Sequence, residues 1–107
     1  MEKVERECGP GWFPLVDMLE QQAAKVCAKL VQVKEKFGGL RVYYTLPDVE
    51  EDVVALNEFV DAVDQAEIDS VHVCELCGHR GQTMAKGGWL KTLCKSHAAE
   101  LGYVNKA

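Results

Sequence analysis

The chain has no long apolar run. Its hydrophobic stretches last only a few residues, far short of the roughly 20 needed to cross a bilayer. Its first residues, Met1-Glu2-Lys3-Val4-Glu5-Arg6-Glu7, are charged and lack the apolar centre of a secretion signal. The expectation is a soluble, cytoplasmic protein of a reducing compartment, with no membrane partner. No βαβ pattern is present to house a redox Cys-x-x-Cys pair. No second cluster of His, Asp and Asn stands beside the cysteines, as a nuclease would need, and no set of carboxylates converges on a histidine. The composition also argues against wholesale disorder, because 48% of the 107 residues are hydrophobic and 27% charged.

Positive charge is scarce in the first two thirds. Residues 1–70 carry seven Lys/Arg against fifteen Asp/Glu, net −8, whereas residues 71–107 carry five against two, net +3. An acidic body repels a phosphate backbone at long range, so nucleic-acid binding would have to come from local basic patches.

What the chain does have is four donors, Cys74, Cys77, Cys94 and His97, spaced C-x2-C-x16-C-x2-H with Gly78 directly after the first pair. Three thiolates and one imidazole form the ligand set of a closed tetrahedral zinc site, and each pair spans one tight turn. A closed site has no open position for water or substrate, so the zinc is expected to be structural and the protein not an enzyme. Iron–sulfur clusters prefer four thiolates. His72 and His79 lie close in sequence; His79 would crowd the turn, and both are expected to be exposed. Cys27 is expected in the core and Cys8 in a mobile N-terminus.

The spacing predicts an α+β fold in two parts, a body over 1–70 and a zinc-finger module over 71–107 packed on it. The body opens with a helix starting near Trp12 or Phe13, punctuated by Gly9-Pro10-Gly11, with Trp12, Leu15, Leu19, Ala23 and Val26 or Cys27 as its apolar stripe. A hairpin follows with its turn at Gly38-Gly39. That turn would pair Phe37 with Leu40, Glu35 with Val42, Val33 with Tyr44 and Val31 with Leu46, an apolar face broken only by Glu35. The opposite face would carry Gln32, Lys34, Lys36, Arg41, Tyr43 and Thr45, with Lys34 facing Tyr43 and Lys36 facing Arg41. It reads either as an ordinary solvated sheet face or as a docking surface of Lys34, Lys36, Arg41 and Tyr43. Asp48 is then expected to cap an acidic helix with Val49, Val53, Leu56, Val60, Val63 and Glu67 on its packed stripe. Glu50, Glu51, Asp52, Glu58, Asp61 and Asp64 would lie around it.

In the module, a hairpin turning at Gly87-Gly88 should lead to a short helix capped by Thr92, carrying Cys94 and His97 and ending at Gly102. Trp89, Leu90, Leu93 and Leu101 would cover the metal. Knuckle, hairpin and helix together suggest a treble-clef-like finger.

The segment from Val33 to Tyr44, VKEKFGGLRVYY, followed by Cys74-x-x-Cys77-Gly78 and the run from Gly87 to His97, GGWLKTLCxxH, resembles a family of small zinc-binding proteins of bacteria, often found in phage or prophage settings. The resemblance spans Gly11 to Ala98. It implies the two-part layout and the metal ligands and supplies no activity. Three functions are compatible with these residues. The first is a protein-binding module, an inhibitor or modulator of a host complex. The second is a nucleic-acid-binding finger using Arg80, Lys86, Trp89, Lys91 and Lys95. The third, ranked last, is a metal-dependent nuclease.

Overall fold

The computed structural model describes residues 4–48 and 52–105. It is a mixed α+β chain with two small three-stranded sheets. The first sheet comprises β1 (Arg6–Glu7), β2 (Lys29–Lys36) and β3 (Gly39–Thr45) in that order. β2 and β3 form the expected hairpin, and β1 lies parallel to β2, with Arg6 opposite Val33 and Glu7 opposite Lys34. A 3-10 turn over Pro10–Trp12 leads into α1 (Phe13–Lys25). The helix α2 (Val53–Ser70) follows the hairpin.

α1 and α2 pack on one face of this sheet. Trp12, Val16, Leu19 and Ala23 meet Leu30, Val33, Leu40 and Val42 of the strands and Phe59, Val63 and Ala66 of α2. Tyr44 contacts the Phe59 ring edge-on, with centroids 5.2 Å apart. Arg6 ties β1 to α1 through Asp17 at 2.6 Å and Glu20 at 3.1 Å. The free edge of β3 is answered from α2: the Leu40 N–H donates to Ser70 Oγ and the Val42 N–H to Glu67 Oε2, both at 2.9 Å. Glu67 and Ser70 therefore close a sheet edge that would otherwise invite a second strand.

The hairpin register differs from the expectation. The turn residues are Phe37 and Gly38, so Lys36 pairs with Gly39, Glu35 with Leu40, Lys34 with Arg41, Val33 with Val42 and Gln32 with Tyr43. A bulge between Leu30 and Gln32 then brings Leu30 inward and leaves Val31 exposed. Val33, Leu40, Val42 and Tyr44 do share the packed face, whereas Phe37 and Leu46 are exposed. Lys34 thus faces Arg41, not Tyr43, and Lys36 faces Gly39, not Arg41. Glu35 explains the displaced turn, because its Oε2 accepts the Gly38 N–H at 2.7 Å.

Four further corrections concern the body. α2 starts one turn later than expected, with Asp52 as its cap accepting the Ala55 N–H at 3.0 Å; Val49, Glu50 and Glu51 lie outside the described residues. Val53 is exposed, and Phe59 and Ala66 take places on the packed stripe. Asp52, Glu58, Asp61 and Asp64 are exposed, as expected. Cys27 is exposed, not in the core, and Cys8 packs half-buried against the core. Cys27 ends α1 at φ +58, where the Ala28 N–H bonds the Ala23 carbonyl and the Cys27 N–H the Ala24 carbonyl. That is a left-handed helix stop, a position glycine usually fills.

The second sheet has the order β5-β4-β6, from β4 (Gln82–Lys86), β5 (Trp89–Leu93) and β6 (Val104–Asn105). α3 (Lys95–Leu101) follows β5 and stops at Gly102, φ +79. Thr92 does not cap this helix. It lies in β5, fully buried, where its Oγ1 donates to the Gly38 carbonyl at 2.6 Å and lies 3.0 Å from Thr83 Oγ1. The second sheet is thereby fastened to the tip of the first hairpin.

Candidate metal centre

Two local structures present the four donors. The first is a knuckle over residues 73–80. The Cys74 N–H bonds the His79 carbonyl at 2.7 Å, the Gly78 N–H bonds the Cys74 carbonyl at 2.9 Å, and Val73 bridges Arg80. Gly78 has φ +81, a conformation that costs other residues more. The second is the start of α3, where Cys94 is the N-cap residue and His97 lies in the first turn. The Ala98 N–H bonds the Cys94 carbonyl at 2.9 Å.

The donor atoms of Cys74, Cys77, Cys94 and His97 all lie within 4.8 Å of one another, close enough to hold a metal ion. Cys77 Sγ is 3.8 Å from Cys94 Sγ, and His97 Nδ1 is 3.6 Å from Cys74 Sγ and 3.3 Å from Cys94 Sγ. The other ring nitrogen of His97, Nε2, stands 4.0 Å from Oε2 of exposed Glu100, beyond hydrogen-bond distance.

The electrostatics favour thiolate at Cys74 but not at Cys77, where the His79 backbone lowers the thiol and burial with the sulfurs of Cys74 and Cys94 outweighs it and raises it. Burial pushes the Cys74 thiol up, but the backbone around Cys94, Cys77 and Leu76 hydrogen-bonds the sulfur and brings it down to about 6. The sulfurs of Cys74 and Cys94 hold the His97 imidazole above its usual range. His79 and His72 are exposed, and His79 Nδ1 lies 3.3 Å from Cys77 Sγ, crowding the knuckle as its position suggests.

The cover differs from the expectation. Leu93 is buried over the site, but Met84 and Ala98 are its buried partners, with Leu76 and Tyr103 beside them. Trp89 and Leu101 point to solvent because they sit at a hairpin tip and on the outer side of α3.

The knuckle is also the joint to the body. Glu75, buried between the first two ligands, takes the Gly9 N–H on Oε2 at 2.9 Å and pairs with Lys91 through Oε1 at 3.1 Å. Its carbonyl takes the Gly11 N–H at 2.7 Å. Trp12 Nε1 donates to the Val73 carbonyl at 2.8 Å. The sequence marked Gly9-Pro10-Gly11 only as punctuation and Glu75 only as a spacer. The hint available was two glycines flanking a proline before a tryptophan, a backbone kept bare where another backbone approaches.

The two basic groupings fare differently. Lys34, Lys36, Arg41 and Tyr43 come together on the outer face of β2 and β3, with Lys34 Nζ 5.4 Å from the Tyr43 ring centroid. In the second grouping, Lys91 is spent on Glu75, and Lys86 donates to the Leu101 carbonyl at 2.8 Å. Arg80, Lys95 and Trp89 are exposed. Among the described residues no helix is long and apolar enough to cross a membrane. Comparison with protein-family models, with curated proteins and with solved structures gives no significant match to the chain.

Proposed function

We propose that this protein is a small zinc-stabilised binding module that acts on a partner protein and catalyses no reaction. The setting suggested by the family it resembles is a phage-type inhibitor or modulator of a host complex in the cytoplasm. The observation that carries the reading is the gathering of three sulfurs and one ring nitrogen at one point. A tetrahedron with Zn–S bonds of about 2.3 Å has edges of about 3.8 Å, shorter where nitrogen replaces sulfur. The observed separations of 3.8, 3.6 and 3.3 Å match that size. Four protein ligands saturate zinc and leave it nothing to activate. Knuckle, β4–β5 hairpin and α3 supply the parts of a treble-clef-like finger. Contact is assigned to the basic face of β2 and β3.

The second reading, nucleic-acid binding by the +3 module, draws on exposed Trp89, Arg80 and Lys95. It is weakened by Lys86 and Lys91, whose ammonium groups already have partners. One experiment separates the two. The purified protein is assayed for bound metal, immobilised with its metal, and exposed to bacterial lysate, and captured proteins and nucleic acids are identified together. A protein lost on charge reversal by K36E/R41E supports the proposal. Capture that survives this change removes the basic face, and captured nucleic acid alone favours the second reading. Absence of metal at one ion per chain overturns the structural premise.

A further inference from the structure

Two aromatic side chains stand in solvent at the tips of the two hairpins, Phe37 at 71% exposed and Trp89 at 76%. They border one cleft of about 610 Å³, whose walls include Lys36, Lys91 and Tyr103. Phe37 occupies its turn at φ +54, beside Gly38 at φ +83. Hairpin turns with two positive φ angles favour Asn, Asp or Gly at the first position, and a bulky residue there is strained. The turn sets Gly38 between Glu35 and Thr92, but the Phe37 ring itself points outward and adds nothing to the core, so an asparagine would serve the turn as well. Strain of this kind concentrates where a side chain must be presented to a ligand.

The charges beside the cleft have no ion-pair partner among the described residues, although Glu7 lies opposite Lys34 in the register of β1 and β2 and Arg41 Nη1 donates to the Leu40 carbonyl at 3.1 Å. Lys36 Nζ lies 5.6 Å from the Phe37 ring centroid, and Lys34 faces Arg41 directly across the strands. Like charges so placed repel unless an anion joins them. Among the described residues, no carboxylate lies within ion-pairing distance of Lys34, Lys36 or Arg41, whereas Arg6 has two and Lys91 one. A strip of three cations without an ion-pair partner among the described residues therefore leads from the cleft along the outer face of the sheet.

We infer that this surface receives an extended acidic segment of a partner protein. One apolar or aromatic side chain of the segment enters between Phe37 and Trp89, and neighbouring carboxylates meet Lys36, Lys34 and Arg41. The inference rests on the binding-module reading and specifies its partner. A nucleic-acid strand fits less well. Glu35 also lines the cleft, Lys91 there is already neutralised by Glu75, and a body of net −8 repels a polyanion more than a segment with two or three carboxylates.

The test is selection of random peptides displayed on phage against the metal-loaded full chain, with F37N, W89S and K36E/R41E as variants. The expected consensus is one large apolar residue next to a short Asp/Glu run. A synthetic peptide of that consensus should bind about tenfold more weakly to each variant, a loss of the size expected when a contact residue is truncated. F37N should retain or raise the thermal midpoint, because asparagine relieves the turn. A peptide with its acids exchanged for lysine should recover binding to K36E/R41E. Acidic peptides that ignore F37N and W89S overturn the cleft and leave the basic face standing. Recovery of no acidic consensus, or tighter binding of an oligo(dT) strand than of any selected peptide, overturns both.

Discussion

Replacing Gly11 by alanine tests the claim that the metal knuckle and the N-terminal segment form one unit. A Cβ at Gly11 would collide with the Cys74 carbonyl oxygen and lie 2.6 Å from the Gly78 nitrogen and 2.7 Å from the Glu75 carbonyl carbon. All three are backbone atoms of the ligand-bearing turn, so none can swing aside. Overpacking of this kind costs about 1–3 kcal/mol. Relief requires residues 9–12 to lift, which breaks the bonds from Gly11 N–H to the Glu75 carbonyl and from Gly9 N–H to Glu75 Oε2. The first contributes about 1 kcal/mol net and the second, to a carboxylate, about 2, so a loss near 3 kcal/mol is expected, whether the strain is borne or the bonds are broken. On a domain of this size that lowers the thermal midpoint by about 15 °C. Metal and fold stabilise the same conformation, so up to the whole loss should also appear as metal affinity, about a hundredfold by chelator competition. The assay is thermal and urea unfolding of metal-loaded wild type, Gly11→Ala and Gly88→Ala. Gly88 has nothing within 4 Å of its hypothetical Cβ and serves as the neutral control. A Gly11→Ala protein within about 0.5 kcal/mol of wild type, with unchanged chelator resistance, would refute the coupling.

Cys27→Gly should stabilise the protein by about 1 kcal/mol in urea unfolding, because Cys27 holds a left-handed stop at no benefit to the core. Thr92→Val should cost about 1–2 kcal/mol, since it strips the Gly38 carbonyl of its buried donor without changing side-chain shape, and hydrogen exchange near Gly38 should quicken. Burial, then the charge of Glu75, pushes the Cys8 thiol from about 9 up to about 11. The fold thus favours the neutral thiol, so this contribution is intact below pH 9 and lost as pH rises to 11. Unfolding midpoints over that window should fall more gently in Cys8→Ser, and equal slopes would contradict the assignment.

Much of this structure can be read from local pattern. α1, both hairpins and the four ligands follow from apolar spacing, paired glycines and the two matched Cys/His intervals. The errors arise where a local signal has two solutions. Gly38-Gly39 can be a turn alone or share one with Phe37, and what decides is the Glu35 carboxylate reaching the Gly38 amide. Alternation along β2 cannot reveal the bulge that turns Val31 outward, since a bulge is set by the partner strand. Thr92 stands where a cap would be, but its hydroxyl is claimed by a carbonyl 54 residues away in sequence. β1 and β6 have two residues each, too few to carry a period. Gly9, Gly11 and Trp12 bond residues 61–66 positions distant, and no short window along the chain contains both ends of such a contact.

That last separation bears on how the protein is made. When Trp12 leaves the ribosome its seat at Val73 has not yet been translated, and Cys94 and His97, which stand beside the knuckle's cysteines, follow later still. Nascent α1 must therefore wait, its tryptophan open to chaperones, until residues 73–80 have followed it out of the ribosome.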